Sequence, residues 1–87
     1  MIREQRMRVS VKMFAIARDL AKQSEVELDL SDTATVADLR KALVERVPAL
    51  AGLQKHLMFA INADYAGDGV TIPPHAEIAC IPPVSGG

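Results

Sequence analysis

The sequence predicts a single α+β domain, with one main amphipathic helix laid across one face of a mixed sheet. Three observations carry that expectation. Apolar and polar residues alternate at period two in several short segments, the signature of half-buried strands. One longer segment, opened by a capping threonine and closed by a proline, repeats its apolar residues at helical spacing. The chain has 87 residues, 49% hydrophobic and 24% charged, enough for one modest core.

Residues 1–6 are polar and read as an N-terminal extension, with Met7 an equally good start. The domain proper is expected over 7–81. Its first strand runs from Arg8 to Phe14, with Val9, Val11 and Met13 inward and Arg8, Ser10 and Lys12 outward. The period then changes over 15–22, where Ile16, Ala17 and Leu20 share a side, so a short helix is expected. Glu25 to Leu30 is the cleanest strand: Val26, Leu28 and Leu30 alternate with Glu25, Glu27 and Asp29.

The main helix follows. Thr35 is a good N-cap, and Asp38 three residues later makes a short form of the capping box while favouring the positive helix end. Val36, Leu39, Leu43 and Val47 form the apolar stripe opposite Asp38, Lys41 and Glu45. Pro48 ends the helix, because the residue before a proline avoids the α region. Residues 49–56 show no clear period and read as a surface loop, with Leu50 and Leu53 plugging the core. A third strand covers 57–62 with Leu57, Phe59 and Ile61 on one face. A turn at 62–64, an edge segment around Tyr65 and Ala66, a Gly67-Asp68-Gly69 loop and an extended piece at 70–72 come next. After a turn at Pro73-Pro74-His75, the last strand is expected over 76–81. There Ile78 and Cys80 point one way, and Glu77, Ala79 and Ile81 the other.

Composition excludes several classes of function. A net charge of −1 lacks the basic footprint of a nucleic-acid binder. The apolar runs are far shorter than the ~20 residues of a membrane span, and the start lacks the apolar region of a signal peptide. One cysteine, Cys80, rules out an internal disulfide and fits a reducing compartment. The chain therefore reads as cytoplasmic. There is no glycine-rich phosphate loop, so no nucleotide is expected to be held by this chain alone. His56 and His75 fall in loops without a second metal ligand at useful spacing. Cys80 reads as core packing, and the carboxylates are dispersed rather than paired for acid–base work.

By elimination the chemistry lies in the last six residues, 82–87, a flexible diglycine tail. Pro82 and Pro83 lack an N–H and stop a sheet ladder. Val84 and Ser85 lead to Gly86 and Gly87, whose backbone is narrow enough to thread into a partner and present the Gly87 carboxylate. A frayed end is the plain alternative. Ile81 and Tyr65 are expected to form an exposed apolar docking patch, with Arg18 as a charged contact; scattered surface apolars are the plain alternative.

The ending Ile81-Pro82-Pro83-Val84-Ser85-Gly86-Gly87, preceded by Glu77-Ile78-Ala79, resembles that of the small sulfur-carrying subunits of molybdopterin synthase. The resemblance runs from Met7 to Gly87. It includes Phe14-Ala15 with Arg18-Asp19-Leu20, Thr35-Val36 with Leu39, and Ala60-Ile61-Asn62. One departure is Pro73-Pro74-His75, where this family often has Asp-Gly-Asp; it should change the local turn and leave the tail untouched.

The resemblance implies a ubiquitin-like β-grasp fold and a sulfur carrier without catalytic residues of its own. Gly87 would be adenylated by an E1-like adenylyltransferase using ATP and Mg²⁺. A desulfurase and rhodanese relay would then convert it to a thiocarboxylate. The large subunit of the synthase, in a heterotetramer, would take that sulfur to convert cyclic pyranopterin monophosphate to molybdopterin. Carriers for thiamine or cysteine synthesis and ubiquitin-like modifiers share the diglycine end and stay open as alternatives.

Overall fold

A computed structural model describes residues 5–83 of the chain. Five strands form one mixed sheet in the order β2-β1-β5-β3-β4. The strands are β1 (Arg6–Met13), β2 (Glu25–Ser31), β3 (Met58–Ile61), β4 (Asp64–Ala66) and β5 (Ile78–Ile81). β1 and β5 run parallel at the centre, and β1–β2, β3–β5 and β3–β4 are antiparallel. Helix α1 (Ala15–Ala21) links β1 to β2, and helix α2 (Val36–Arg46) follows β2. The helices cover one face of the sheet. This is the ubiquitin-like β-grasp fold.

Period-two alternation places the core as expected. Val9, Val11 and Met13 of β1, Val26, Leu28 and Leu30 of β2, Phe59 and Ile61 of β3, and Ile78 and Cys80 of β5 are all buried. The helix answers with Val36, Leu39 and Leu43, and Val47 closes the stripe just beyond its end. In α1 the split is uneven: Ala17 is buried, Leu20 is half-buried, and Ile16 is exposed on the side opposite to that expected.

The N-terminus of α2 shows why the helix begins where it does. Four N–H groups at a helix start lack an intrahelical partner. Here Val36 N–H donates to the Val70 carbonyl and Ala37 N–H to that of Asp68, both at 3.0 Å. Asp38 N–H donates to Thr35 Oγ1, and the Asp38 carboxylate accepts from Thr35 N–H at 3.0 Å, completing the capping box. The loop around Gly67–Gly69 therefore supplies carbonyl acceptors to the helix.

β3 and β5 are shorter than expected, at Met58–Ile61 and Ile78–Ile81, and two further differences bear on the core. β1 starts at Arg6, where Arg6 pairs with Ser31, and Asp32 N–H donates to the Gln5 carbonyl at 3.0 Å. Arg6, assigned to the extension, is part of the sheet because β2 is long enough to offer it a partner in Ser31. Residues 48–56 are not an irregular loop but a 3-10 helix, Pro48–His56. Its three-residue turn stacks positions i and i+3, which puts Leu50 fully inside and Leu53 against the core.

Arg40 joins these layers. It lies on α2 with only 17% of its side chain exposed. Its guanidinium donates to the Gln54 carbonyl at 2.7 Å and to the Leu57 carbonyl, pairs with Asp68 at 2.9 Å, and sits 5.2 Å from the centre of the Phe59 ring. Replacing Arg40 with Leu leaves two carbonyls without their donor, which should cost roughly 2–4 kcal/mol in urea unfolding. Thr35→Ala, which removes only a cap, should cost about 1 kcal/mol. Equal and small effects for both variants would contradict this account.

Candidate functional site

Strand register divides the open face of the sheet into two halves. Lys12 of β1 stands beside Ala79 of β5, Ala79 beside Ala60 of β3, and Ala60 beside Tyr65 of β4, so these four share one face. Met58 stands directly across from Ile81 in the next row. On the β2 side the same face carries Arg8 opposite Asp29, Ser10 opposite Glu27 and Lys12 opposite Glu25. Arg8 reaches Asp29 at 3.5 Å and Glu27 at 4.0 Å, exposed pairs that contribute little to stability. The face is thus charged over β2 and β1, and apolar over β5, β3 and β4.

The apolar half is not scattered. Tyr65 is 65% exposed, Met58 49% and Phe14 48%. A shallow groove of about 430 Å³ is lined by Phe14, Ala60, Ala63, Tyr65, Ala79 and Ile81. A second groove, of about 600 Å³, lies at the foot of the tail between Phe14, Ala15, Ile16, Leu53, Ile81, Pro82 and Pro83. Phe14 and Ile81 border both. Ile81 itself is half-buried rather than fully outward, since Met58 and Phe14 flank it.

The structure brings Ile81 and Tyr65 into one groove. Arg18 does not join them but lines a neighbouring recess with Lys12, Phe14 and Glu25, and Phe14 borders that recess and both grooves. Phe14, Met58 and Ala63 were not anticipated. Phe14 and Met58 do carry a sequence signal, because both fall on outward positions of their strand alternation. Ala63 carries none, because its place depends on the turn that folds β4 beside β3.

The last strand leads directly into Pro82 and Pro83. The inward alternation of Ile78 and Cys80 continues through Pro82, which is buried, while Pro83 is exposed. Pro82 is therefore an anchor, and Pro83 is the first exposed residue beyond it. Val84, Ser85, Gly86 and Gly87 lie outside the described residues.

Cys80 is fully buried, and burial pushes its thiol from 9.0 up to about 11, with the nearby Arg40 charge pulling weakly the other way. A thiol held in its neutral form is a poor nucleophile and does not compete as a sulfur-transfer site. No helix among the described residues is long and apolar enough to cross a membrane. The described residues hold no group of three His, Cys, Asp or Glu side chains placed to bind a metal.

Residues 11–87 match the ThiS family model. The chain belongs to the ThiS family of sulfur carriers. It is 35% identical over 81 residues to the molybdopterin synthase sulfur carrier subunit of Caenorhabditis elegans, covering 91% of this chain and 96% of that one. The corresponding subunit of Chlamydomonas reinhardtii is also 35% identical, over 93% of this chain and all of its own. Among solved structures, small archaeal modifier protein 1 of Haloferax volcanii superposes with a TM-score of 0.80 at 30% identity. That match covers 90% of this chain and 99% of the relative. The family joins a β-grasp body to a C-terminal diglycine, and this ThiS-family chain has both.

Because the folded thiol titrates above its unfolded value, its contribution to stability is complete below pH 9.0. It is lost as pH rises from there through about 11. Native protein at pH 8 should react with a maleimide about a hundredfold more slowly than urea-unfolded protein. Equal rates would show that Cys80 is accessible.

Proposed function

We propose that this chain is the sulfur-donating subunit of a molybdopterin synthase, with Gly87 as the group that carries sulfur. The observation that carries this reading is the Pro-Pro-Val-Ser-Gly-Gly ending on a carrier-family body that offers no competing site among its described residues. A carboxylate is a poor electrophile until its oxygen becomes a good leaving group, so an E1-like enzyme first adenylates Gly87 with ATP and Mg²⁺. The terminal sulfur of a persulfide on a desulfurase and rhodanese relay then attacks the adenylate and displaces AMP, and a second relay thiol cleaves the resulting acyl disulfide, leaving the thiocarboxylate on Gly87 and a disulfide on the relay. Similarity to several curated sulfur carrier subunits supports molybdopterin as the product.

The body supplies docking and the arm supplies reach. From Pro83 to Gly87 the chain spans at most about 16–18 Å, at ~3.3–3.6 Å per residue. That length lets the end enter a buried pocket of the large subunit while the body stays outside. Ile81 and Tyr65 lie on the apolar half-face at the root of the arm, where a partner must stand to receive it. Arg18 serves as a charged contact at the margin. The likeness to an archaeal modifier protein supports a second reading, in which Gly87 is joined to a lysine of another protein.

The thiocarboxylated protein, mixed with a molybdopterin synthase large subunit and cyclic pyranopterin monophosphate, should yield molybdopterin and return the carboxylate form. Retention of sulfur on Gly87 beside a competent large subunit would contradict the molybdopterin assignment. Ile81→Asp should weaken binding to both partners at least tenfold while leaving the circular dichroism spectrum unchanged. Unchanged affinity would remove the docking role of the apolar half-face.

A further inference from the structure

Strand β5 ends at Ile81 because both of its neighbours release it at the same level. On the β3 side the last pair is Met58 with Ile81. One step further the register would set Pro82 opposite Leu57, and neither can continue the ladder. Pro82 has no N–H. Leu57 has both backbone groups committed elsewhere, donating to the Leu53 carbonyl at 3.1 Å and accepting from the Arg40 guanidinium. On the β1 side the last pair is Met13 with Cys80, and the chain turns into α1 at Phe14. The Phe14 carbonyl accepts from Ala17 N–H at 3.1 Å and from Arg18 N–H at 3.3 Å. Sheet pairing therefore stops short of Pro82 on both flanks.

Pro82 is nevertheless buried, and Pro83 after it is exposed. Pro82 extends the inward row of Ile78 and Cys80, and lines a groove with Ala15 and Ile16 of α1 and Leu53 of the 3-10 helix. Its ring carries no hydrogen-bonding group, so apolar packing is what holds that side chain to the body. We infer that Pro82 is a positioning residue for the chemistry at Gly87. Its buried ring fixes the point from which residues 83–87 are measured, and so the number of residues a partner must order to reach the carboxylate. With Pro82 anchored that number is five; without the anchor the last fixed residue is Ile81, and the number is six. Each further residue ordered on insertion lowers the productive population by a factor of roughly 5 to 30. The inference rests on the reading that Gly87 is activated at its carboxylate.

The test is carrier-dependent ATP–pyrophosphate exchange by an E1-like activating enzyme, with the full-length protein and three variants. Pro82→Ser, which empties the apolar slot, should lower the maximal rate roughly 5- to 30-fold, with half-saturation within about twofold. Pro82→Val, which refills the slot, should return the rate to within about threefold of the unmodified protein. One alanine inserted between Pro82 and Pro83 leaves the body and the last five residues intact, and should lower the rate as Pro82→Ser does. Each assay is run well below the melting temperature of its variant, so lost stability alone moves none of these rates. A full rate from the insertion variant would overturn the inference, and this variant decides the matter if Pro82→Ser does not fold. A loss in Pro82→Val equal to that in Pro82→Ser would also overturn it, because the enzyme would then be reading the proline itself. Exchange by the unmodified protein that all three variants match removes the inference alone. No exchange by the unmodified protein, with an enzyme active on its own carrier, removes the activation reading and the inference together.

Discussion

A single guanidinium, that of Arg40, ties the helical layer to the sheet. Its donors reach the carbonyls of Gln54 and Leu57, its charge meets Asp68, and its plane lies near Phe59. Asp68 in turn presents its carbonyl to the first turn of α2. One side chain therefore holds together the helix start, the 3-10 segment and the entry to β3. Phe59 stands beside Cys80 in the register of β3 and β5, and the same inward row ends at Pro82. The root of the arm is thus braced by contacts that begin on the far side of the core.

That bracing divides the labour of the molecule. All of the helical material goes to one face of the sheet, so the other face remains available. Strand register, not sequence proximity, then sorts that open face. β1 and β2 bring charged residues together, while β3, β4 and β5 bring Met58, Ala60, Tyr65, Ala79 and Ile81 together. A carrier that hands its end to successive partners needs a rigid platform at the arm's base and no reactive group of its own. The buried, neutral Cys80 meets the second requirement as well as the first.

Much of this was legible in the sequence, for physical reasons that differ from element to element. Alternation in Glu25–Leu30 and the Thr35–Asp38 box are local signals, and both appear in the structure as read. The segment 48–56 was not legible as a helix, because a period of three is neither the 3.6 of an α-helix nor the 2 of a strand. The membership of Arg6 in β1 depends on a partner strand more than twenty residues away. The grouping of Phe14, Ala63 and Tyr65 depends on three-dimensional register and a tight turn. Ile81 and Tyr65 were identifiable because each is an apolar residue on an outward or edge position; Ala63 beside them was not, because its place depends on the turn that pairs β4 with β3.

The central claim is that the protein's chemistry resides in one terminal carboxylate, carried by a body that docks but does not react. Intact-mass measurement after incubation with an activating enzyme, ATP and a sulfur source tests it most directly. The account predicts a gain equal to one oxygen replaced by sulfur, localised to Gly87, retained in Cys80→Ala and lost when one residue is added after Gly87. An unchanged mass in the presence of a competent activating enzyme, or a sulfur gain that disappears with Cys80, would contradict it.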